Sequence, residues 1–356
     1  MTVPQKITQW VTNQDGLDNV KQETVDMPKP TGDDNVLVKI HTVALNFRDT
    51  EVSMGEYGHH KSVAQSKSIV PCSDTCGSIV SGHPTLKPGT RVMATFNQSH
   101  ITGQITAKDM VSGLGLPLPG VLTQYRYFPA HGLVEAPSHL SDEQAACLPI
   151  AAVTAWMAIN WQSPLGQPAT NKGDQYVLLQ GTGGVAISGL QIAHAAGFKT
   201  IITSSSDEKL EKAKKLGADF TINYRTTPNW ADEVMRLTND EGAHIIFENG
   251  GAQTLRQSFD AVAFGGSIAC IGYLGGKEDA PGDRMNTNVL ALKRNVTLKG
   301  MLNGPKDRFE EMCTFYEEHG IQPQIDRRFA FGEAKEALKY LYSGSHFGKV
   351  AIKVAE

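Results

Sequence analysis

The segment that most constrains the fold is a glycine turn between an apolar strand and a helix. Residues 175–180 (QYVLLQ) have the pattern of a buried strand, and residues 181–186 (GTGGVA) follow directly and open a helix. Gly181, Gly183 and Ala186 have the spacing G-x-G-x-x-A, in which the first glycine allows a tight turn and the second lets the backbone approach a pyrophosphate. Because the turn stands between a strand and a helix, the pattern predicts dinucleotide binding rather than a purely structural turn.

The residues after this turn alternate between strands and helices. Apolar, β-branched runs predict strands and amphipathic runs predict helices, so the alternation indicates a doubly wound parallel sheet. The predicted strands are residues 199–206 (KTIITSSS), 220–224 (FTINY), 244–249 (HIIFEN) and 267–276 (SIACIGYLGG). The helices between them are residues 207–218 (DEKLEKAKKLGA) and 255–266 (LRQSFDAVAFGG).

The N-terminal third of the chain has a different pattern. Residues 36–135 contain short β-branched runs between Gly and Pro clusters, which predicts an all-β module of the small-barrel type. A chain of 356 residues is longer than one core usually supports, so two domains are expected. We predict an α/β chain with a β-barrel domain over residues 1–145, a nucleotide-binding domain over residues 146–300, and a segment over residues 301–356 that returns to the first domain.

The composition excludes several classes of function. The formal net charge is −4 and there is no run of Lys or Arg, which argues against a nucleic-acid-binding surface. No apolar stretch approaches the roughly 20 residues that cross a bilayer, and the N-terminus lacks the apolar segment of a signal peptide. The five cysteines are scattered and odd in number, which is not a disulfide framework. We therefore expect a cytoplasmic protein that acts on a small molecule, with no nucleic-acid or membrane partner.

The end of the second predicted strand indicates which dinucleotide is bound. Enzymes that use NAD place an Asp or Glu there for the ribose 2′-hydroxyl, whereas this chain has hydroxyl side chains over residues 203–206 (TSSS). A carboxylate would repel the 2′-phosphate of NADPH, whereas hydroxyls followed by a lysine would bind it. The candidate residues are Ser204, Ser205, Lys209 and Tyr224, with Arg225 beside them. The alternative for Lys209 is a solvated position on a lysine-rich helix.

Several segments together resemble the medium-chain dehydrogenase/reductase superfamily, and most closely its zinc-free, quinone-oxidoreductase-like branch with its NAD(P)-dependent alcohol dehydrogenase-like members. The matching segments include residues 36–49 (VLVKIHTVALNFRD), 71–80 (PCSDTCGSIV), 86–92 (LKPGTRV), 180–186 (QGTGGVA) and 346–352 (HFGKVAI). The resemblance implies a GroES-like catalytic domain, a Rossmann domain and a C-terminal return. It also implies a nicotinamide-dependent oxidoreductase and a homodimer that pairs the last Rossmann strand, near residues 295–301.

The same resemblance bears on two cysteines, Cys72 and Cys76. Zinc-dependent members carry a cysteine near the position of Asn46, and they carry Gly-His-Glu where this chain has residues 72–74 (CSD). An amide and the hydroxyl of Ser73 are poor substitutes for thiolate and imidazole, so we expect no catalytic zinc. The Cys-x3-Cys spacing also lacks a second half-site for zinc and is not a Cys-x-x-Cys redox pair. No metal ligand is therefore predicted.

Without a metal, hydride transfer needs hydrogen-bond donors for the negative charge that develops on the acceptor oxygen. Asn46 and Tyr57 are the predicted catalytic residues, and the pattern of Gly55 and Tyr57 resembles that around the proposed proton-donor tyrosine of enoyl reductases. The alternative for Tyr57 is an aromatic side chain that only packs against the substrate. Arg48 and Asp49 are expected to form a structural ion pair.

The glycine turn and the resemblance together imply the cofactor contacts. Thr154 matches a family threonine beside the nicotinamide, with helix packing as the alternative, and Lys349 belongs to a C-terminal signature that packs or touches the cofactor. The predicted cofactor-binding residues are Phe47, Thr154, Gly181, Thr182, Gly183, Gly184, Val185, Ser204, Ser205, Lys209, Tyr224, Asn249, Gly272, Tyr273, Leu302, Asn303, Phe347 and Lys349.

Three functions are compatible with this pattern. The first is a zinc-independent, NADPH-dependent oxidoreductase that delivers hydride to an activated C=C bond or to a quinone of a small molecule. The second is a zinc-free carbonyl reductase or alcohol dehydrogenase, because both reactions need hydride delivery and stabilisation of an oxyanion. The third belongs to another class and is a non-catalytic NADPH-binding protein, similar to a crystallin or a sensor.

Overall fold

The computed structural model describes residues 3–32, 34–58, 68–81, 83–171, 174–279 and 285–355. The chain divides into two compact units, Met1–Val153 with Asn303–Glu356, and Thr154–Leu302. The first change of unit lies after Val153, within a helical stretch that includes a π-helical turn at Leu148–Ala152. The predicted boundary after residue 145 lies earlier in the same stretch. A boundary inside a helix has no linker composition to mark it.

The first unit contains nine strands and five helices among its described residues. Its strands are β1 (Lys6–Val11), β2 (Lys21–Asp26), β3 (Asn35–Leu45), β4 (Asp74–Ile79), β5 (Arg91–Ala94), β6 (Tyr125–Pro129), β7 (Leu133–Glu135), β14 (Ile325–Ala330) and β15 (Lys349–Lys353). Its helices are α1 (Phe47–Met54), α2 (Ala107–Met110), α3 (Asp142–Ala145), α10 (Lys306–His319) and α11 (Ala334–Tyr342).

The main sheet of the first unit joins the two ends of the chain. Its strand order is β14-β15-β3-β4-β5-β7, and β6 also pairs with β3. The C-terminal strand β15 lies antiparallel to β3, with Val350 opposite Leu45 and Ile352 opposite Val43. These β-branched and aliphatic side chains are buried and belong to the core of the unit. The C-terminal segment thus supplies β14 and β15 to the sheet of the first unit.

A close backbone contact fixes the entry to β4. The N–H of Val121 donates to the carbonyl of Cys72 over 3.0 Å, and a Cβ atom at Gly120 would lie 2.1 Å from that carbonyl oxygen. Only glycine fits at this approach. Cys72 itself has a φ of 68°, an uncommon value for a residue with a side chain. The backbone of residues 70–73 is therefore set by the loop that packs on it.

The second unit has the predicted alternation of strands and helices. After α4 (Val153–Asn160) its elements are β8 (Tyr176–Gln180), α5 (Gly184–Ala195), β9 (Lys199–Ser204), α6 (Asp207–Lys215), β10 (Phe220–Asn223), α7 (Trp230–Leu237), β11 (Ala243–Glu248), α8 (Ala252–Ala261), β12 (Val262–Cys270), α9 (Thr287–Lys293) and β13 (Thr297–Gly300). The six strands are all parallel in the order β10-β9-β8-β11-β12-β13. The doubly wound sheet is confirmed, and its order reverses between β8 and β11.

Two neighbouring elements differ from their predictions, because the strand expected over residues 267–276 is observed as β12, Val262–Cys270. The helix expected over residues 255–266 ends at Ala261, and β12 already begins at Val262. The last part of the predicted helix contains a β-branched valine, Val262, and a glycine, Gly265, whose φ is 72°. Neither favours a helix, so the chain turns directly from α8 into the strand. Within the described residues, no helix has the length and apolar character needed to cross a membrane.

Candidate active site

The glycine turn joins β8 to α5 in the second unit. Gly181 has a φ of 79°, and its N–H donates to the hydroxyl of Thr203 over 3.3 Å, which ties the turn to the end of β9. Gly183 is the extended residue that precedes α5, so the first N–H groups of the helix face out of the turn. The close approach of α5 to the sheet is at Gly189, where a Cβ atom would lie 2.6 Å from the Phe247 ring.

The predicted cofactor residues of this unit come together at one edge of the sheet. The glycine turn follows β8, Ser204 ends β9, and the others follow the strands at that same edge. Carboxyl ends of parallel strands meet at one edge, and the reversal of strand order beside β8 is where such sheets bind ligands. The residues placed there are Gly181, Thr182, Gly183, Gly184, Val185, Ser204, Ser205, Tyr224, Asn249, Gly272 and Tyr273. Leu302 lies beyond the end of β13, and Thr154 is buried in the first turn of α4.

The hydroxyl side chains at the end of β9 have separate roles. Ser204 is 3% exposed and its Oγ accepts the N–H of Ser206 over 3.3 Å. Ser206 caps α6, because its Oγ accepts the N–H of Lys209 over 3.4 Å. Ser205 and the Lys209 side chain are half-buried, and Tyr224 is 42% exposed. The surface at this corner is therefore formed by Ser205, Lys209 and Tyr224 rather than by Ser204.

A buried carboxylate, which the sequence prediction did not include, connects the ends of β8 and β11. Glu248 is 1% exposed, and it accepts hydrogen bonds from the Gln180 amide over 2.8 Å and from the N–H groups of Gly250 and Gly251 over 3.0 and 2.9 Å. It also accepts from the hydroxyls of Thr254 and Ser258. Polar residues at the ends of two otherwise apolar strands are the signal that could have indicated this network.

The same network fixes Asn249. Its side-chain amide donates to the Gln180 carbonyl over 2.8 Å, and its backbone N–H donates to the Gln180 side chain over 3.1 Å. The loop after β11 is thus bound to the end of β8, beside the glycine turn. Asn249 is half-buried, so its position at this edge is held by the protein itself.

A buried lysine lies at the centre of the candidate site of the first unit. The Lys349 side chain is 3% exposed, and its ammonium donates to the Leu45 carbonyl and the Asn46 side-chain oxygen, each over 2.7 Å. It also lies 3.4 Å from a carboxylate oxygen of Asp74, which is fully buried. An ammonium has three N–H donors, and each has a protein acceptor here. The ammonium therefore has no donor left for a cofactor phosphate.

The charge at Asp74 is unusual for a strand interior. All six residues of β4 are buried, and removal of the Asp74 carboxyl from water raises its pKa, whereas the Lys349 ammonium acts in the opposite direction. The pair joins residues 275 positions apart. A carboxylate and a lysine in two apolar strand runs are the sequence signal, but nothing in the sequence says that the two strands bring them together.

Asn46 connects this pair to the surface. It is half-buried, it precedes α1, and its backbone N–H donates to the Asp49 carboxylate over 2.8 Å. Its side-chain nitrogen is buried and has no hydrogen-bond partner among the residues that the structure describes. Asp49 is fully buried, and desolvation raises its pKa to about 6 against the attraction of Arg48. Arg48 and Asp49 lie 3.4 Å apart, so the predicted ion pair is present.

Arg48 also determines the surroundings of Tyr57. Its guanidinium lies over the Tyr57 ring at 4.7 Å and over the Phe96 ring at 4.6 Å, measured to the ring centroids. The same guanidinium donates to the Leu114 carbonyl over 3.1 Å. Tyr57 is half-buried and packs against Val52, Ile69 and Leu116. The predicted catalytic tyrosine therefore stacks on a buried cation, and sequence reasoning did not predict the contribution of Phe96.

The remaining predicted residues of the first unit lie at several places. Phe47 is 36% exposed and stacks on Tyr342, with 6.4 Å between ring centroids. Asn303 has a φ of 91° and its side chain donates to the Pro149 carbonyl over 3.0 Å. Phe347 is buried. Among the predicted residues of this unit, Asn46 and Lys349 are in direct hydrogen-bond contact.

The two cysteines of residues 71–80 have separate environments. Burial raises the pKa of the Cys72 thiol, and the Asp49 and Asp74 carboxylates raise it further. The Cys76 thiol instead lies 3.6 Å from Asp142, the carboxylate that also binds Arg91 and His41. Both thiols are free. Across the described part of the chain, no group of three or more His, Cys, Asp or Glu side chains is arranged to hold a metal ion.

Two sequence families match the chain in the order of the two domains. The family described as "Alcohol dehydrogenase GroES-like domain" matches residues 32–138. The family described as "Zinc-binding dehydrogenase" matches residues 184–318.

Similar proteins cover almost the whole chain. "Zinc-type alcohol dehydrogenase-like protein C1773.06c" of Schizosaccharomyces pombe is 38% identical over 348 residues, which are 95% of this chain and 96% of that protein. Mouse prostaglandin reductase-3 is 24% identical over 347 residues, 92% of this chain and 84% of that protein.

Solved structures show the same architecture. An alcohol dehydrogenase candidate from Sinorhizobium meliloti 1021 superposes with a TM-score of 0.86 at 34% identity, over 99% of this chain and 100% of that one. A NAD-dependent alcohol dehydrogenase superposes with a TM-score of 0.82 at 27% identity, over 98% of this chain and 100% of that one. Together with the family matches, these relatives show that the chain belongs to the medium-chain dehydrogenase/reductase superfamily of nicotinamide-dependent oxidoreductases.

Proposed function

We propose that this chain is a zinc-independent, NADPH-dependent reductase that delivers hydride to an activated C=C bond or to a quinone of a small molecule. The observation that carries the proposal is the buried Lys349 ammonium between Asn46 and Asp74, 2.7 and 3.4 Å from their oxygens. It provides a fixed cation beside Asn46 and Asp74, two of the positions that the resemblance matches to zinc ligands of zinc-dependent members. The similarity to a protein named as a prostaglandin reductase agrees with reduction as the reaction.

The donor set does not fit zinc. Zinc sites use thiolate, imidazole and carboxylate ligands, whereas Asn46 and Ser73 offer an amide and a hydroxyl. Asp74, a carboxylate that could bind zinc, already lies 3.4 Å from the Lys349 ammonium, which would repel a divalent cation. Elemental analysis of the purified protein tests this directly. Stoichiometric zinc that resists dialysis against a chelator would contradict the proposal.

The choice of NADPH rests on the corner of the second unit. Ser205, Lys209 and Tyr224 form its surface, and a lysine with hydroxyl groups binds a 2′-phosphate better than a 2′-hydroxyl. Asp207, one of two acidic residues in the first turn of α6, accepts a hydrogen bond from the side-chain amide of Asn223 over 2.6 Å. Binding of NADPH and NADH, followed by nicotinamide fluorescence, should differ by at least about tenfold in favour of NADPH. In Ser205→Asp the order should reverse, since the new carboxylate repels the phosphate.

The reduced nicotinamide supplies the hydride when it is bound, and the residues of the first unit supply the rest of the chemistry. The side-chain N–H groups of Asn46 stabilise the negative charge that develops on the acceptor oxygen. Tyr57 donates the proton that completes the reduction of an enone. The Arg48 guanidinium, which lies over the Tyr57 ring, fixes the position of the tyrosine. Arg48 stabilises the phenolate that remains, which bulk solvent then reprotonates.

The experiment that tests the reaction is product analysis with NADPH deuterated at the transferred position. Deuterium on the carbon β to a carbonyl is the expected result for an enone substrate. Deuterium on a carbinol carbon would identify the carbonyl or alcohol reaction instead. Saturable NADPH binding without oxidation across a broad panel of enones, quinones and aldehydes would identify the non-catalytic function. Tyr57→Phe should lower turnover about 100-fold if the tyrosine is the proton donor, and only a few fold if it positions the substrate.

We also propose a homodimer formed through the edge of the second sheet. β13 is the last strand of that sheet, and Leu298 on it is 37% exposed. Val289 and Leu292, on the preceding helix α9, are 54% and 79% exposed, so this segment carries three exposed apolar side chains. Light scattering after gel filtration should give the mass of two chains. Leu298→Lys with Leu292→Lys should give one chain, and Lys353→Met serves as an unrelated surface control.

A further inference from the structure

We propose that Lys349 is a positioning residue of this reductase: its buried ammonium holds the Asn46 side chain by its oxygen and so presents the amide N–H groups to the oxygen of the substrate. The inference rests on the proposed function, because it assigns a role within the same reaction. Neither the predicted cofactor contact of Lys349 nor the lack of zinc ligands includes a role of Lys349 toward Asn46.

The orientation of the Asn46 amide follows from the chemistry of its partner. Oxygen and nitrogen of an amide are alike in size, but an ammonium can only donate hydrogen bonds. The atom that lies 2.7 Å from the Lys349 nitrogen must therefore be the amide oxygen. The amide nitrogen is then the end left to donate, and it has no hydrogen-bond partner of normal geometry among the described residues. The Asn46 side chain also opposes the rise of the Asp74 pKa, so the two groups interact. Lys349 thus decides which end of Asn46 is presented.

The backbone around Asn46 is fixed as firmly as its side chain. The Asp49 carboxylate accepts the Asn46 N–H over 2.8 Å, and the Asn46 carbonyl accepts the Asp49 N–H over 2.9 Å. The Leu45 carbonyl, one residue earlier, accepts from Lys349 over 2.7 Å. Donors that stabilise a developing oxyanion are effective when they are held in place before the reaction, and this arrangement meets that requirement.

A buried unpaired donor is costly unless a ligand uses it. The Asn46 side-chain nitrogen is buried without a partner among the described residues, although the residue itself is half-exposed. Asp74 of this cluster, and Ser73 before it in the chain, also carry buried oxygens without partners in the described part of the chain. Unsatisfied buried polar atoms are rare in proteins, and each needs an explanation, such as a bound polar ligand or an ordered water.

The charge of Lys349 contributes through the same amide. The three N–H donors of the ammonium already have protein acceptors, so none is left for a substrate. A hydrogen bond from an amide is stronger when a cation polarises the amide oxygen, because charge is drawn away from the N–H groups. Asp74 balances the positive charge at 3.4 Å and keeps the cluster close to neutral. Lys349 therefore acts on the substrate through Asn46 only.

The test compares four variants with the wild-type protein. Lys349→Met removes the cation but leaves Asp74 buried and unpaired, so it is joined by Lys349→Met/Asp74→Asn, which removes both charges together. Asn46→Ala removes the amide at a half-exposed position, and the triple variant combines all three changes. Lys353→Met, an exposed lysine on the same strand, is the matched control. Turnover, NADPH binding and thermal stability are measured for each.

The expected result is a separation of turnover from binding. NADPH should bind to the charge-free double variant within about twofold of the wild type, whereas its kcat should fall about 100-fold, as for the loss of one oxyanion donor. In the Asn46→Ala background, removal of Lys349 and Asp74 should cause little further loss, because residues that act as a unit are not additive. Lys353→Met should behave as the wild type.

Different outcomes would overturn different statements. A stable double variant with wild-type kcat, or an Asn46→Ala variant with wild-type kcat, would show that the cluster is structural only. Loss of NADPH binding on removal of Lys349 would make it a cofactor contact, as the sequence predicted. If the wild type itself fails to oxidise NADPH with any acceptor, the proposed function fails and this inference with it.

Discussion

Two carboxylates in the first unit, Asp74 and Asp142, are both paired with cations, yet their pKa values shift in opposite directions. Asp142 is 30% exposed and accepts hydrogen bonds from Arg91 and His41 over 2.7 Å each, and these partners, His41 first, hold its pKa well below the usual range. Asp74 is fully buried, and desolvation raises its pKa despite Lys349 at 3.4 Å. Both carboxylates have cationic neighbours, so the opposite pKa shifts arise because Asp74 has lost its contact with water and Asp142 has not.

The comparison distinguishes a cluster that stabilises the fold from one that costs free energy. Pairing at a half-exposed position gains charge-assisted hydrogen bonds without full desolvation. A buried ion pair often contributes nothing net, because the desolvation of two charges offsets their attraction. The Arg91 cluster, which consists of Arg91, His41 and Asp142, can thus be explained by its contribution to stability alone. The Lys349 cluster, which consists of Lys349, Asn46 and Asp74, needs another explanation. The proposed orientation of the Asn46 amide toward the substrate provides one.

The largest expected effect is on the stability of Lys349→Met. Removal of one partner leaves the Asp74 charge buried and unpaired, so the free energy of unfolding should fall by about 3–5 kcal/mol, measured by urea denaturation at pH 7. The double variant with Asp74→Asn should recover most of this loss. Lys353→Met should change the value by less than about 0.5 kcal/mol. A loss below about 1 kcal/mol in Lys349→Met would contradict the contrast drawn between the two clusters.

A smaller loss is expected for Arg91→Met. Its Nε donates to Asp142 over 2.7 Å and its terminal nitrogen donates to the Leu140 carbonyl over 2.8 Å. Hydrogen bonds to charged groups contribute about 1.5–3 kcal/mol, and here His41 and water remain to satisfy Asp142. The same urea measurement checks it. If the free energy of unfolding falls as much in Arg91→Met as in Lys349→Met, the difference in solvent exposure does not explain how much each cluster contributes to stability.

The two types of carboxylate should also give opposite pH dependence of stability. The pKa of Asp142 is lowered, so its stabilising contribution is present above the ordinary value of 3.8 and is lost as the pH falls below it. The pKa of Asp49, which faces Arg48, Asp74 and Lys349, is raised from 3.8 to about 6, so the folded state binds its proton more tightly. Stability from Asp49 should therefore decrease as the pH rises from about 4 to about 6.

Urea denaturation between about pH 2 and pH 7 separates these contributions. Asp142→Asn should remove the loss of stability on the acid side, and Asp49→Asn should remove the decrease between pH 4 and pH 6 while its amide oxygen still accepts the Asn46 N–H. If both variants flatten the same part of the curve, the opposite signs assigned to the two groups are wrong.

The smallest effect concerns the cysteines that lie beside the two clusters. Burial raises the pKa of all five thiols, so few thiolates form near neutral pH. Ellman's reagent should react slowly with the folded protein and rapidly after unfolding. Mild oxidation should produce no disulfide between Cys72 and Cys76, because one thiol faces the Asp49 side and the other lies against Asp142. Peptide mapping that finds this disulfide in the folded protein would contradict the separation.

Much of the fold was predictable because it follows from local patterns. The apolar run of β8, the glycine turn at Gly181 and the helix after it are encoded within twenty residues of each other, and the structure shows them as predicted. The hydroxyl side chains at the end of β9 were also visible in the sequence. Period and turn chemistry depend on neighbours in the chain, so a single sequence is enough to recognise them.

The sequence by itself determined the doubly wound sheet, the β-rich first domain, the superfamily and the residue types available to the site. Only the tertiary structure decided that Lys349 reaches Asn46 and Asp74, that Phe96 joins Tyr57 on Arg48, and that Cys72 and Cys76 face different groups. The physical reason is sequence separation. Lys349 and Asp74 are 275 residues apart and meet because β15 and β4 both pair with β3, and that register depends on the packing of the whole unit.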